Sequence, residues 1–184
     1  PENTTWYFFF ETNIAFRGSN NSVVENNKLF YSMLTEVNLS HGNNHIIRNN
    51  LFINNTLDGI AISNGVNNLI EGNTFFSNGR ITAPVSKAIY LYDNADNNII
   101  INNILRASYN GIVLFSNKGN KLVGNDIQGS TQAIFYFDFA NSALTEPNII
   151  QGGVIRNTAG WAIVLEQGYL VLNRTDISNT NNQD

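Results

Sequence analysis

The chain has 184 residues, a net charge of −4 and 13% charged side chains, with its 10 Lys and Arg scattered along it. No basic face marks a nucleic-acid partner, and no apolar run approaches the ~20 residues of a membrane-spanning helix. Cysteine is absent, which excludes a disulfide framework and a thiolate metal site and leaves the redox compartment open.

Asparagine is the unusual residue, 34 of 184. Such a bias can signal a low-complexity chain. Here 42% of the residues are hydrophobic and alternate in short runs, which a chain unable to build a core does not show. The asparagines are therefore placed at set positions.

In chain order, the apolar run Trp6 to Phe10 opens the sequence, and five segments then superpose. They are Val24–Leu29, Ile47–Phe52, Ile70–Phe75, Ile100–Leu105 and Leu122–Ile127. Their shared asparagine is Asn27, Asn50, Asn73, Asn103 and Asn125, with steps of 23, 23, 30 and 22, and weaker copies put Gly153 and Thr175 in the same column. A second column is carried by the first members of short runs: Ile14, Val37, Ile60, Ile89, Ile112, Ile134 and Ile163. Each run is a period-two strand of β-branched or large apolar residues. Asn64-Gly65, Asn78-Gly79 and Asn110-Gly111 are read as corners between strands.

A leucine-rich repeat would need an apolar residue five positions before each asparagine, where this chain has Ser22, His45, Asn68, Asn98 and Asn120. A left-handed hexapeptide helix would need strict six-residue units, and insertions into whole coils break that rule. The pattern predicts an all-β fold, a single-stranded right-handed parallel β-helix (a β-solenoid) of about seven coils with an Asn ladder. At the usual strand spacing of ~4.8 Å this makes a rod of roughly 33 Å. The ladder is placed at a turn, where Asn tolerates left-handed backbone and stacked amides bond from coil to coil. Glu25, Arg48 and Glu71 form a neighbouring charge column, expected to give cross-strand pairs of roughly 0.2–1 kcal/mol.

The unit N-x-[IVL]-[IVL]-x-x-N-x-[FIL], followed by G-I-x-[IL], resembles the parallel β-helix repeats of the pectin-lyase-like superfamily. It is most similar to the NosD-like and the carbohydrate-binding and sugar-hydrolase repeats, over nearly the whole chain. The resemblance implies the fold and leaves function open, because lyases, hydrolases, epimerases, phage tailspikes and adhesins share the repeat. It also implies a site on the outer face of one sheet, built from several coils.

That directs attention to the outward residues of the second column: Tyr90, Tyr92, Val113, Phe115, Phe135 and Phe137, bordered by Asp93 and Asp138. Sugar rings stack on such aromatic faces, so this is a candidate glycan or partner platform. Alternatively the insertions around Gly79–Lys87 and Phe139–Pro147, or a second subunit, cover it, since large apolar patches are rarely bare on monomers. Asp93 and Asp138 are two coils apart, roughly 9.6 Å, near the upper limit for an inverting carboxylate pair. Asp96 and Glu166 are possible additions to that pair.

No catalytic motif of the resembled enzymes supports such a pair. The N-T-D, D-D, G-H-G and R-I-K motifs of the hydrolases and the D-P-H motif of the epimerases are missing, and Ser40-His41-Gly42 is the nearest approach. A lyase would need a Ca²⁺ cage of carboxylates beside a basic residue, and Arg106 and Arg156 fall on a different strand from the two aspartates. His41 and His45 lack a third ligand. The five N-x-S/T sequons, at Asn3, Asn20, Asn38, Asn54 and Asn173, are about as many as chance gives in so Asn-rich a chain.

Pro1 is no native start and no leader follows it, and neither end carries a cap of the kind solenoids use. Residues 1–184 are therefore read as one β-helix domain, either a fragment of a longer solenoid or an uncapped unit that assembles. The expected function is a non-catalytic extracellular module, a structural or cell-surface assembly element with glycan contact. Its expected partners are a polysaccharide or identical subunits, in end-to-end or lateral homo-assembly, with no nucleic acid, no membrane span and no cofactor. The alternative is a polysaccharide lyase or hydrolase using Asp93 and Asp138, with Ca²⁺ entering only for a lyase. A periplasmic accessory protein of the NosD type is a third reading, although the chain lacks a Cys, Met or His cluster for handling metal.

Overall fold

The computed structural model describes residues 5–7, 12–76, 86–138 and 146–180, and of 5–7 only the backbone. Its strands fall into three parallel sheets of eight, seven and seven strands. Sheet I contains Thr5–Tyr7, Lys28–Phe30, Leu51–Ile53, Thr74–Phe76, Ile104–Arg106, Asp126–Gln128, Val154–Arg156 and Asp176–Ser178. Sheet II contains Ile14–Arg17, Thr35–Ser40, Asp58–Ser63, Lys87–Tyr92, Asn110–Phe115, Gln132–Phe137 and Ile163–Glu166. Sheet III contains Val23–Glu25, Ile46–Arg48, Leu69–Glu71, Ile99–Ile101, Lys121–Val123, Asn148–Gln151 and Leu170–Asn173.

Each coil runs through sheets II, III and I in turn, and every strand pairs with its counterpart one coil away. This is a parallel β-helix, with the right-handed connection that parallel strands almost always take. Along sheet II the register runs Ile14, Val37, Ile60, Ile89, Ile112, Ile134 and Ile163. This is the column that sequence alignment of the coils predicts. Among the described residues no helix is long and apolar enough to cross a membrane.

The core is a set of columns running along the axis. Sheet III contributes Val24, Ile47, Ile70, Ile100, Leu122 and Ile150, and sheet I contributes Leu29, Phe52, Phe75, Leu105, Ile127 and Ile155, all buried. Phe52 and Phe75 lie face to face, with centroids 4.6 Å apart and planes 6° from parallel. Burying each such side chain stabilises the rod by about 1.5–3 kcal/mol. At the last coil the inward positions Leu165, Leu172 and Ile177 are exposed. With Trp161 they line a depression of about 370 Å³.

The Asn ladder lies at the corner between sheets III and I, and its geometry corrects one expectation. The left-handed residue is the one before the ladder asparagine: Asn26, Asn49, Gly72, Asn102 and Gly124 all have φ between 54° and 61°. That turn directs the ladder side chain inward, where Asn50, Asn73 and Asn103 are fully buried. The Asn50 Oδ1 accepts both the backbone N–H and the Nδ2–H of Asn27, at 3.0 Å each. Asn73 does the same for Asn50, Asn103 for Asn73, and Asn125 for Asn103. The amides of Asn50, Asn73, Asn103 and Asn125 also donate back to a carbonyl of the coil before, as Asn73 does to Ile47 at 2.9 Å. An amide both donates and accepts, so it can satisfy the corner of one coil and be satisfied by the next, which an apolar residue or a carboxylate cannot do.

A second ladder occupies the corner between sheets II and III, in the column whose polarity argues against a leucine-rich repeat. Asn68 accepts from the His45 N–H, Asn98 from Asn68, Asn120 from Asn98 and Asn148 from Asn120, at 2.8–2.9 Å. A third inward polar column, Ser32, Asn55, Ser86, Ser108, Ser130 and Thr158, follows sheet I and is buried throughout. On the outer surface Arg48 pairs with Glu25 at 2.7 Å, and Glu71 is in register on the other side of Arg48. Both paired side chains are about 40% exposed, so this pair adds at most about 1 kcal/mol.

Candidate functional site

The outer face of sheet II brings the predicted aromatic residues together. Register places Tyr90, Val113 and Phe135 in one column and Tyr92, Phe115 and Phe137 in the next. The rings of Tyr90 and Tyr92 stack at 4.5 Å with planes 17° apart, and those of Phe115 and Phe137 at 5.6 Å and 18°. These columns continue into the smaller Ala61 and Ser63 on one side and Val164 and Glu166 on the other.

Alongside them runs a polar column that period-two reading of the sequence assigns to the interior: Asp58, Lys87, Asn110 and Gln132. The alternation fails just after it. A Cβ on Gly59 would lie 2.8 Å from the ring of core residue Phe75, and one on Gly111 would lie 2.9 Å from Ile127. Ala88 and Ala133, in the same column, are fully buried. Two consecutive residues of each strand therefore face inward, and the residue before them is turned out. The run of Gly and Ala immediately before each core isoleucine is the signal that could have revealed this.

Lys87 ties the two columns together. Its Nζ lies 3.7 Å from the Asp58 Oδ1 and 4.3 Å from the centre of the Tyr90 ring, and its N–H donates to Asp58 at 3.1 Å. Burial pushes the Asp58 carboxyl up to about 6 against the pull of the Lys87 charge. Burial, then the charge of Asp58, pushes the Tyr90 phenol up to about 12. A depression of about 240 Å³ lies between the columns, lined by Lys87, Asn110 and Gln132 on one side and by Tyr90, Val113, Phe115 and Phe135 on the other. Asn110 is 7% exposed, and its Oδ1 has no partner.

The two bordering aspartates lie in unlike settings. Asp93 sits at an exposed turn with φ 49°. Asp138 is fully buried, its Oδ2 accepting from the Tyr136 hydroxyl at 3.3 Å and its Cβ packed under Gly168. Burial and this carboxylate hold the Tyr136 phenol well above its usual range. The Asp96 Oδ1 accepts the Lys118 N–H at 2.9 Å, and Glu166 is exposed beside Phe137. Arg106 and Arg156 converge on the Asp126 Oδ2, at 2.5 and 3.5 Å, across sheet I.

His45 is buried and stacked on Phe16 at 5.3 Å, whereas His41 is at an exposed turn with its Nδ1 2.8 Å from the Ser40 Oγ. Among the described residues no group of three His, Cys, Asp or Glu is placed to hold a metal. Residues 79–85 and 139–145, the bulk of the segments considered as covers for the stripe, lie outside the described residues. So does the sequon residue Asn3; Asn54 and Asn173 are exposed and Asn38 is half-buried.

Residues 2–150 match the family model described as the right handed beta helix region. No curated protein matches the chain. Among solved structures, the chain is similar to two mutants of the periplasmic alginate epimerase AlgG, at TM-scores of 0.68 and 0.65 and identities of 15% and 14%. Each alignment covers 91% of this chain and 47–48% of the epimerase. The surface protein and adhesin PfbA of Streptococcus pneumoniae aligns at a TM-score of 0.52 and 15% identity, covering 90% of this chain and 48% of the adhesin. The chain thus spans about half the length of these neighbours, and at such identities the likeness is one of fold.

Proposed function

The chain belongs to the right-handed β-helix family, and from that premise we propose that it is a non-catalytic solenoid module that contacts glycans through the outer face of sheet II. One observation carries this reading. Two stacked aromatic pairs flank a depression whose opposite wall is polar, the combination of apolar faces and few placed polar groups typical of small-molecule subsites. The carboxylates of the same face do not share an environment: Asp93 is at an exposed turn and Asp138 is enclosed. A general acid and its partner must reach one substrate. A location outside the cytoplasm, extracellular, cell-surface or periplasmic, is part of the proposal. It is supported by neighbours that are a periplasmic epimerase and a surface adhesin.

Binding of the full chain to a panel of immobilised polysaccharides tests the proposal. At least one should be retained, and Tyr90→Ala with Phe115→Ala should weaken retention about tenfold or more, roughly 1.4 kcal/mol, while the thermal unfolding midpoint stays within a few degrees. Failure to bind any polysaccharide sinks the reading. The catalytic alternative, a lyase or hydrolase with Ca²⁺ needed only by the lyase, predicts release of new chain ends that disappears in Asp93→Asn and Asp138→Asn.

A further inference from the structure

We infer that the depression on sheet II takes an anionic substituent of a glycan, a sulfate or a carboxylate, on the Lys87 ammonium, and that protonation of Asp58 switches this contact on. This rests on the glycan reading of sheet II given above and adds to it the charge of the ligand and its control. Among the described residues lining the depression, Lys87 is the one that carries a charge. Its side chain is 19% exposed, and its Nζ lies 4.3 Å from the centre of the Tyr90 ring, at the aromatic wall. Asp58 stands outside that lining. It precedes Lys87 by one coil in the polar column and is 9% exposed, with its Oδ1 3.7 Å from the Lys87 Nζ. The segments on either side of the depression that lie outside the described residues, 77–85 and 139–145, contain no acidic residue in the sequence.

An anion that meets the ammonium gains a charge-assisted contact, while the rings of the opposite wall pack against the apolar side of the sugar. As long as Asp58 is ionised, the incoming anion shares that ammonium with a carboxylate of its own sign, which works against binding. With Asp58 protonated, the Lys87 charge is no longer offset and the depression turns cationic. Burial holds the Asp58 carboxyl up at about 6, so the change falls between neutral and mildly acid solution. The titratable groups that face Asp58 are Lys87 and the Tyr90 phenol, both on the strand of the next coil. On its other side the register partner is Thr35, which does not titrate, and the adjacent Glu36 is enclosed in the core. Burial, then the charge of Asp58, pushes the Tyr90 phenol up to about 12, so it keeps its proton throughout. Asp58 is therefore the group on this column that changes charge.

The test measures affinity of the full chain for dextran, dextran sulfate and polygalacturonate at pH 7.5 and pH 5, a range over which both anionic polymers stay ionised. Affinity for an anionic polymer should rise about tenfold on going to pH 5, with no rise for dextran. A rise for dextran sulfate alone identifies the substituent as a sulfate, and a rise for polygalacturonate alone identifies it as a carboxylate. Asp58→Asn keeps the side-chain shape and removes the charge. It should bind the anionic polymer at pH 7.5 as tightly as the native chain does at pH 5. Lys87→Met should bind it weakly at both pH values, and thermal unfolding at each pH shows that both variants are folded. A constant native affinity overturns the inference, and so does a rise that survives in either variant, which would report the charge of the whole chain. Retention of a polysaccharide without such a rise leaves the glycan reading standing, and binding to none at either pH overturns both.

Discussion

The imidazole of His45 stands in for an amide: its Nδ1 accepts the Ser22 N–H at 3.1 Å, just as the Asn68 Oδ1 accepts the His45 N–H at 2.8 Å. The ring thus completes the second ladder at the junction between the first two coils, packed on Phe16. The same junction contains a second buried ionisable group. Glu36 lies fully buried in the column otherwise filled by Gly59, Ala88, Gly111 and Ala133. It accepts from the Asn13 amide and from the Ser32 N–H.

Acid should loosen this junction through His45. Burial lowers its pKa below the usual 6.5, because the charged ring would lose both its solvation and its role as acceptor. A group whose folded pKa is depressed gives stability present above its unfolded pKa and lost as pH falls through the folded value. The His45 contribution is therefore present above pH 6.5 and lost below it, while Glu36 works the other way over part of the same range. His45→Asn, which keeps an acceptor in the ladder, should gain in unfolding midpoint relative to the native chain as pH falls below 6.5; a difference between the two that does not change with pH would count against the ladder role.

Glu36 should act in the opposite direction. Burial is the largest effect on it and raises its pKa from 4.5 to about 7. Its contribution is fully present below pH 4.5 and is lost as pH rises to about 7, a span worth on the order of 3 kcal/mol. Glu36→Gln should be more stable than the native chain at pH 8 and about equal to it at pH 4.5. Equal stability at both pH values would show that the carboxyl is not buried as described.

The amide ladder should be most costly to break in the middle. Asn73→Ala leaves the Asn50 N–H without its acceptor, and the Asn103 Oδ1 and the Ile47 carbonyl without the Asn73 amide that donates to both. Stranded buried groups of this kind cost on the order of 3 kcal/mol, or roughly 10 °C in unfolding midpoint for a chain of this length. Asn27→Ala, at the more exposed first rung, should cost less than half as much. Calorimetry of the two variants separates a cooperative ladder from a set of equivalent turns.

Adjacent residues of one strand test the inward and outward assignment. Phe75→Ala empties a fully buried position stacked on Phe52 and should cost about 3–5 kcal/mol. Phe76→Ala removes a ring that is 47% exposed and should change stability by less than about 1 kcal/mol. Comparable losses in urea titrations would mean that the register of sheet I is displaced by one residue.

The sequence by itself determined the coil period, the strand register of sheet II and the five rungs at Asn27, Asn50, Asn73, Asn103 and Asn125. It could do so because every coil stacks on a copy of itself, so the demands of the interior are written into the chain again at each turn. Those demands also made the aromatic columns of Tyr90 and Tyr92 legible, since simple alternation places them outside. Only the tertiary structure decided what depends on departures from the repeat. It assigned the left-handed turn to Asn49 and Gly72 instead of the rung beside them, made a ladder of His45, Asn68 and Asn98, and enclosed Asp138 while leaving Asp93 exposed. It also turned Asp58, Lys87 and Asn110 outward, because the small residues after them face the core in succession with the isoleucines. Side-chain direction at such a break is set by what fits against Phe75 and Ile127 in neighbouring coils, and no period read along one chain contains that information.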